Sequence, residues 1–449
     1  MLNTNSEYLR PEIMDVLRAF DCEEENFTHY FEYAGGKFFN SIEYNGEFYD
    51  FEDEGEFDSD LIFRRLAKRY CKLAFYSVLS QFKGALVWGA LTGIRPTKLA
   101  YTEQAEGRDF NALFNKMDVS DKKIRLVSRI LEVQKPIYGK GGADLFISIP
   151  FCPTKCDYCS FITAPVDATK GYIDSYIDCL IKEIESLKIT EFNSIYIGGG
   201  TPFVLSEERL KRIYTALSRF TTGEYTVEAG RPDVFTEGKL RLSQQFGITR
   251  ICVNPQSFND STLQAIGRKH TAQQTVEAFR LAEKFPFDIN VDLIAGLAEE
   301  SVTDFENSLK TAISLHPANI TVHTLSLKSG AKLKERVKRL NISGISDMVD
   351  LSDKLLSEAG YSPYYLYRQK YQAGGLENVG WCRQGKPCVY NVNVMEEISD
   401  NIALGANAIS KKLFGGDRIE RYATPKDIPT YINKIDKIIE ERLELFSEK

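Results

Sequence analysis

From Leu145 to about Leu325 the chain alternates six short, β-rich apolar runs with longer stretches of helical periodicity, a pattern that few architectures accept. The runs are Leu145–Ile149, Ser194–Ile197, Tyr225–Ala229, Arg250–Asn254, Asp288–Ile294 and Asn319–Leu325. They are mostly continuous rather than alternating in apolar character, as parallel strands under helices are. Between the first two, Lys170–Lys188 places Ile173, Tyr176, Ile177, Leu180, Ile181, Ile184 and Leu187 on one helical face. Ser206 is a cap for the next helix, with the stripe Leu210, Ile213, Tyr214 and Leu217. Thr271 with Gln274, and Thr303 with Glu306, read as capping boxes opening two more. The expected fold is α/β: a partial parallel (β/α)6 TIM-like barrel, with a doubly wound open sheet as the competing architecture.

In such folds chemistry collects at the carboxyl ends of the strands. Directly after the first run comes Cys152-Pro-Thr-Lys-Cys156-Asp-Tyr-Cys159, and the second ends in Gly198-Gly-Gly-Thr-Pro202. Glu228 closes the third, Asn254-Pro-Gln256 follows the fourth, and Asp292 lies in the fifth. Three thiolates on one tight loop can hold three irons of a cubane cluster and leave the fourth without a protein ligand. Catalytic metal sites keep an open position of that kind. The glycine triplet lets a small polar ligand approach the backbone. With nine cysteines in 449 residues, two more at fixed offsets arise by chance in roughly 0.4% of such chains. A structural zinc and inert buried thiols are the other readings. Zinc would want a fourth Cys or His nearby, and none lies between Cys159 and Cys179. Taken singly, Glu228, Gln256 and Asp292 also read as satisfied core polar groups. The remaining cysteines, Cys22, Cys71, Cys179, Cys252, Cys382 and Cys388, are scattered and read as core or surface residues.

Residues 1–140 read as a separate α+β domain, 141–416 as the barrel with its extension, and 417–449 as a helical tail centred on Ile428–Phe446. In the first part, Phe38–Tyr44 and Glu47–Phe51 read as strands, and Asp60–Ser77 and Ser120–Val133 as amphipathic helices. The acidic stretch Asp50–Asp60 is expected to be a solvated loop. Trp88–Lys98, dense in turn formers with two cations, reads equally as an anion-binding turn or a plain turn before a helix. Lys140–Ala143 is a hinge candidate. No apolar run is long enough to span a bilayer, and the first residues lack the regions of a secretory signal. An odd cysteine count without a disulfide-like framework fits a reducing compartment, so the expected location is the cytoplasm. A net charge of −7 argues against a nucleic-acid partner.

The Cys-x3-Cys-x2-Cys loop with Tyr158 before its last cysteine, followed by Gly-Gly-Gly-Thr-Pro, resembles the radical S-adenosylmethionine superfamily. Finer matches are Ile149-Pro-Phe-Cys152, Val227-Glu228, Pro255-Gln-Ser-Phe-Asn259, Ile266-Gly-Arg-Lys-His270 and Val291-Asp-Leu-Ile-Ala-Gly-Leu297. Across roughly residues 144–410 these resemble the oxygen-independent coproporphyrinogen III oxidase group. The segments Gly93-Ile-Arg-Pro-Thr-Lys98, Tyr364–Lys370 and Asn378–Trp381 look like its HemZ-type branch. The resemblance implies one 4Fe–4S cluster on Cys152, Cys156 and Cys159, whose open iron takes the amino and carboxylate groups of S-adenosylmethionine. It implies one or two molecules of that cofactor, held by Phe146, Tyr158, Gly199, Gly200, Thr201, Glu228, Gln256, Arg268, Asp292 and Ser326. Carboxylates suit ribose hydroxyls, and a guanidinium suits the methionyl carboxylate.

The implied chemistry is radical. Reductive cleavage of the cofactor gives a deoxyadenosyl radical that takes a hydrogen from a propionate of coproporphyrinogen III. Loss of carbon dioxide and one electron leaves a vinyl group, and two such rounds give protoporphyrinogen IX. The implied partners are a tetrapyrrole substrate and a flavodoxin- or ferredoxin-like electron donor, with the chain expected to act as a monomer. Arg368, Lys370 and Arg383 are the candidate cations for the propionates. Two departures stand out: Phe146-Ile-Ser148 replaces the family's Tyr-x-His, and Ser160-Phe161 follows where the best-known branch has a fourth cysteine. The alternative implied by resemblance is a haem chaperone of the HemW type. Its His-Asn-x-x-Tyr-Trp segment is matched only by Tyr390-Asn391-Val-Asn393, with no histidine beyond His323. A zinc-stabilised interaction protein is a third class, separable by metal content.

Overall fold

In the computed structural model, residues 1–93, 95–159, 164–326, 342–369, 375–415 and 418–447 are described. The chain separates into two compact units, one made essentially of Met1–Ser128 and one beginning at Arg129.

The first unit is a four-stranded sheet, β1 (Leu2–Thr4), β2 (Phe27–Ala34), β3 (Lys37–Tyr44) and β4 (Glu47–Glu54), in that order, with helices against one face. Phe27, His29 and Phe31 alternate inward along β2, and Phe38, Asn40, Ile42 and Tyr44 along β3. They meet Ala67, Tyr70, Cys71, Ala74, Phe75 and Val78 of the helix Asp60–Lys83. Gly84, at φ +85°, ends that helix six residues beyond the expected Ser77. Asp50–Glu54 belongs to β4, not to a solvated loop, because β3 supplies a full antiparallel ladder and Lys37 pairs with Glu54 at 3.3 Å. The turn-rich segment leads directly into the helix Pro96–Ala105, with Trp88 buried.

The second unit carries all six expected strands: β5 (Ala143–Ile149), β8 (Glu191–Gly199), β9 (Thr221–Gly230), β10 (Arg250–Gln256), β11 (Asp288–Ala295) and β12 (Asn319–Thr324). A short parallel pair, β6 (Phe151–Cys152) and β7 (Ala164–Pro165), brackets the cysteine loop. Every neighbouring pair from β5 to β12 is parallel and sequential, the order of a partial barrel; a doubly wound sheet would reverse direction at its first strand. The curved sheet is extended at the β12 edge by β14 (Glu377–Cys382) and β13 (Ser362–Arg368). At the β5 edge it gains β15 (Asp400–Leu404), β16 (Ile409–Leu413) and β17 (Ile419–Ala423).

Outward side chains Leu145, Ile147, Ile195, Ile197, Val227 and Ile251 are buried beneath the stripes Tyr176, Ile177, Leu180 and Ile184, and Leu210, Ile213, Tyr214 and Leu217. Each such burial is worth about 1.5–3 kcal/mol. Ser206 caps its helix, and Thr271 with Gln274 forms the expected capping box. The second box lies two residues earlier than expected, at Ser301 and Asp304, because that Ser-x-x-Asp pair satisfies the first amides before Thr303 is reached.

The tail beyond 417 begins with β17 and continues as helices Ile428–Asn433 and Ile435–Ser447. It is pinned to the barrel by Glu183, fully buried on the helix Ile173–Ser186. That carboxylate meets Arg442 Nη2 at 2.5 Å, accepts from the Gly405 amide at 2.8 Å and accepts from the Tyr431 hydroxyl. Inside the barrel, the amino-terminal end holds a buried polar layer. Arg250 faces Glu224 at 3.3 Å and Asp288 at 3.7 Å. Glu224 also accepts from the amides of Val389 and Tyr390 at 3.1 and 3.2 Å, capping the helix Val389–Glu396. That helix closes the barrel from below, with Tyr390 stacked on Tyr196 at 4.4 Å.

Candidate functional site

At the carboxyl ends of the strands lies a cavity of about 380 Å³. Cys152, Cys156, Cys159, Tyr158, Gly199, Gly200, Thr201, Glu228, Gln256, Arg268, Asp292 and Ser326 all line it. Twelve of the thirteen residues singled out from sequence are thus brought together. The thirteenth, Phe146, is not among the lining residues: its ring stacks on Tyr196 at 6.2 Å and Tyr390 at 6.0 Å. Strand parity faces it inward, level with its register partner Tyr196, and it packs against these two rings. Arg383 lies at the opposite end of the barrel, its amide bonded to Ala318 and its guanidinium to the His316 carbonyl. Arg368 pairs across the sheet with Glu377 and is not a cavity-lining side chain, while Lys370 lies outside the described residues.

The cysteine loop is held on two sides. Arg268 Nη2 donates to the Tyr158 hydroxyl at 2.9 Å, and the Asp157 amide donates to the Ile266 carbonyl at 3.0 Å. On the other side Arg231 Nη1 donates to Thr154 Oγ1 at 2.5 Å. The strand β8 runs alongside: the Gly200 amide donates to the Ile149 carbonyl and the Thr201 amide to the Phe151 carbonyl, both at 2.7 Å. A Cβ on Gly200 would lie 2.5 Å from the Phe151 carbonyl oxygen, so only glycine permits this approach. With those amides engaged, the triplet offers carbonyl oxygens, acceptors suited to an ammonium or hydroxyl group.

Asn254 Oδ1, Arg268 Nε and Ser326 Oγ are buried at the wall and have no hydrogen-bond partner among the described residues. Orphaned buried polar atoms call for an explanation, and a polar ligand supplies one. Gln256 sits at φ +71° where the β10–β11 register breaks, an uncommon conformation for a non-glycine residue that turns its side chain into the cavity. Among the described residues no three His, Cys, Asp or Glu side chains gather around a single-ion site. Cys152, Cys156 and Cys159 all border the cavity, and a cluster that takes one thiolate per iron suits such a set.

Several wall residues escaped the sequence reading: Tyr196, Arg231, His323, Tyr365, Tyr367, Asn391 and Met395. Period-two counting inward from Gly198 would have found Tyr196, and the same parity joins Tyr365 to Tyr367. His323 contacts the Tyr367 hydroxyl through Nδ1 at 3.2 Å, and its Nε2 stands 3.8 Å from Asp292, which Asn290 orients at 2.9 Å.

Glu228 accepts from the Tyr196 hydroxyl at 2.6 Å. Burial above all, with Asp292 adding to it, pushes its carboxyl from 4.5 up to about 7. The native chain therefore holds this proton more tightly than the unfolded chain. The associated stability is present below pH 4.5 and is lost as pH rises through about 7. In the metal-free protein, Glu228→Gln is expected to remove about 2 kcal/mol of destabilisation between pH 5.5 and 8. Thermal unfolding of both proteins at the two pH values measures it, and parallel curves would refute the shifted carboxyl.

Residues 146–312 match the Radical SAM superfamily. The oxygen-independent coproporphyrinogen-III oxidase-like protein HemZ of Bacillus subtilis is 36% identical over 389 residues, covering 80% of this chain and 77% of that protein. The heme chaperone HemW of Escherichia coli is 29% identical over 289 residues, covering 62% and 72%. Among solved structures, the coproporphyrinogen III oxidase HemN of Escherichia coli, described as a radical SAM enzyme, superposes with a TM-score of 0.55 at 21% identity. It covers 67% of this chain and 70% of its own, a likeness of fold. Among the described residues no helix is long and apolar enough to cross a membrane.

Proposed function

Because this chain belongs to the HemN/HemZ-type group of radical S-adenosylmethionine enzymes, we propose that it converts propionate side chains of coproporphyrinogen III to vinyl groups, without oxygen. The observation that carries this reading is the single cavity shared by the cysteine loop and the polar strand ends Glu228, Gln256 and Asp292. Superfamily members bind a 4Fe–4S cluster and S-adenosylmethionine, which together supply a hydrogen-abstracting carbon radical when bound.

This chain's own residues bind, orient and shield. Cys152, Cys156 and Cys159 are the proposed ligands, and Cys152 stands 3.4 Å from Thr201 Oγ1, so the loop and the glycine strip are in register. The carbonyls of Gly199 and Gly200 take the ammonium end of the cofactor, Arg268 Nε its carboxylate, and Glu228 and Asp292 hydroxyl groups. Tyr196, Tyr365 and Tyr367 line the cavity with aromatic surface that suits a macrocycle. A flavodoxin- or ferredoxin-like donor is the proposed source of the electron, and the cytoplasm the proposed location. A second reading, haem handling, is supported by the HemW relatives and by His323 and Met395, two side chains of iron-ligating type that border the same cavity.

Anaerobic incubation of the reconstituted, reduced protein with S-adenosylmethionine, with and without coproporphyrinogen III, separates these. Deoxyadenosine and vinyl products that appear together and depend on substrate are expected. Cofactor cleavage with no porphyrin conversion would remove the decarboxylase reading and favour haem handling or another tetrapyrrole.

A further inference from the structure

Arg231 is the most completely committed cation near the cysteine loop, and the mechanism above does not use it. It follows Gly230, whose φ of +84° turns the chain out of β9, and only 3% of its surface is exposed. Its Nε and Nη2 form a fork on Asp233, at 2.9 and 2.7 Å, in the short 3-10 turn Pro232–Val234. The one remaining terminal nitrogen, Nη1, points across 77 residues of sequence to Thr154, between the first two cysteines. A buried guanidinium fixed in two places by a carboxylate has little freedom, so it presents its third donor rigidly. The loop's far side is already tied through Tyr158 and Asp157.

We propose that Arg231 is a positioning residue: with Asp233 as its anchor it clamps Thr154, so that the cysteine loop is preformed before iron arrives. The inference rests on the reading that these cysteines hold an iron–sulfur cluster. A preformed loop lowers the ordering cost of ligation and slows ligand release. The charge of the pair is nearly cancelled, so the effect is one of geometry.

The test has two arms on the full chain. In the metal-free protein, hydrogen exchange of the peptide spanning Pro153–Cys159 is measured for wild type, Thr154→Val, Thr154→Ser and Arg231→Gln. In the reconstituted protein, the rate of iron loss to a ferrous chelator is followed for the same set. Thr154→Val and Arg231→Gln are expected to exchange at least tenfold faster in that peptide and to lose iron at least tenfold faster. Thr154→Ser, which keeps the hydroxyl, should match wild type, with thermal unfolding of Thr154→Val unchanged. Wild-type exchange and iron retention in Thr154→Val would overturn the clamp, even if Arg231→Gln misfolds. If wild type takes up no iron and sulfide, the cluster reading fails, while the exchange arm still decides the clamp.

Discussion

Cys156→Ala is expected to abolish reductive cleavage of S-adenosylmethionine, down to the background of protein-free controls, while the fold survives. Cys156 is nearly buried on the loop but is not part of the helix-covered core, so loss of its sulfur should cost about 1 kcal/mol or less in stability. Its proposed role is different in kind. In that role each thiolate of the triplet would hold one iron, and with two ligands left the cluster would have no third anchor. Reconstituted iron and sulfide content, the charge-transfer absorbance of the cluster and deoxyadenosine release should all fall together. Unfolding in urea should stay close to wild type. A variant that still cleaves the cofactor would sink the cluster assignment outright.

The largest effect on stability is expected where the carboxyl-terminal tail meets the barrel. Arg442→Met should destabilise the protein by about 3–5 kcal/mol, because Glu183 then stays buried with its charge uncompensated. Removing both partners, with Glu183→Leu added to Arg442→Met, should recover part of that loss, since a buried ion pair is costly to break and cheaper to replace. Recovery stays incomplete because the Gly405 amide and the Tyr431 hydroxyl also rely on Glu183. Urea titrations of the two variants measure the difference. The consequence reaches the site: Gly405 and Ala406 abut the end of β5, where Ser148 Oγ donates to the Ala406 carbonyl at 2.8 Å. Tyr176 donates to the Ser148 carbonyl at 2.7 Å, four residues before Cys152. Equal stability of single and double variants would mean that the pair is not what holds the tail.

The order and ends of the strands were legible because parallel strands leave long apolar runs, and because a strand's carboxyl end is a definite place in sequence. Cys152, Glu228, Gln256 and Asp292 all followed from that rule, and all line the cavity. Packing from a distant element was not legible. Phe146 has inward parity and pairs with the lining residue Tyr196, yet nothing in its own strand announces that the Tyr390 ring will stack on both. Charge misled at Asp50–Glu54, where a ladder partner outweighs the preference of carboxylates for water. The slipped capping box has a similar cause, because Ser301 and Thr303 offer competing hydroxyls two residues apart. Arg231 was invisible for a simpler reason: its partner Thr154 is distant in sequence, and a lone arginine after a glycine carries no periodic signal.

The helix Val389–Glu396 gives this barrel a replaceable floor. Asn391 and Met395 stand one turn apart on it, and both border the cavity, while the walls belong to strands laid down long before in the chain. Volume and polarity at the bottom of the site can therefore drift by substitution on one short segment, leaving the cysteine loop and the strand ends untouched. A chain built this way can change what its site admits while keeping what surrounds the cysteines.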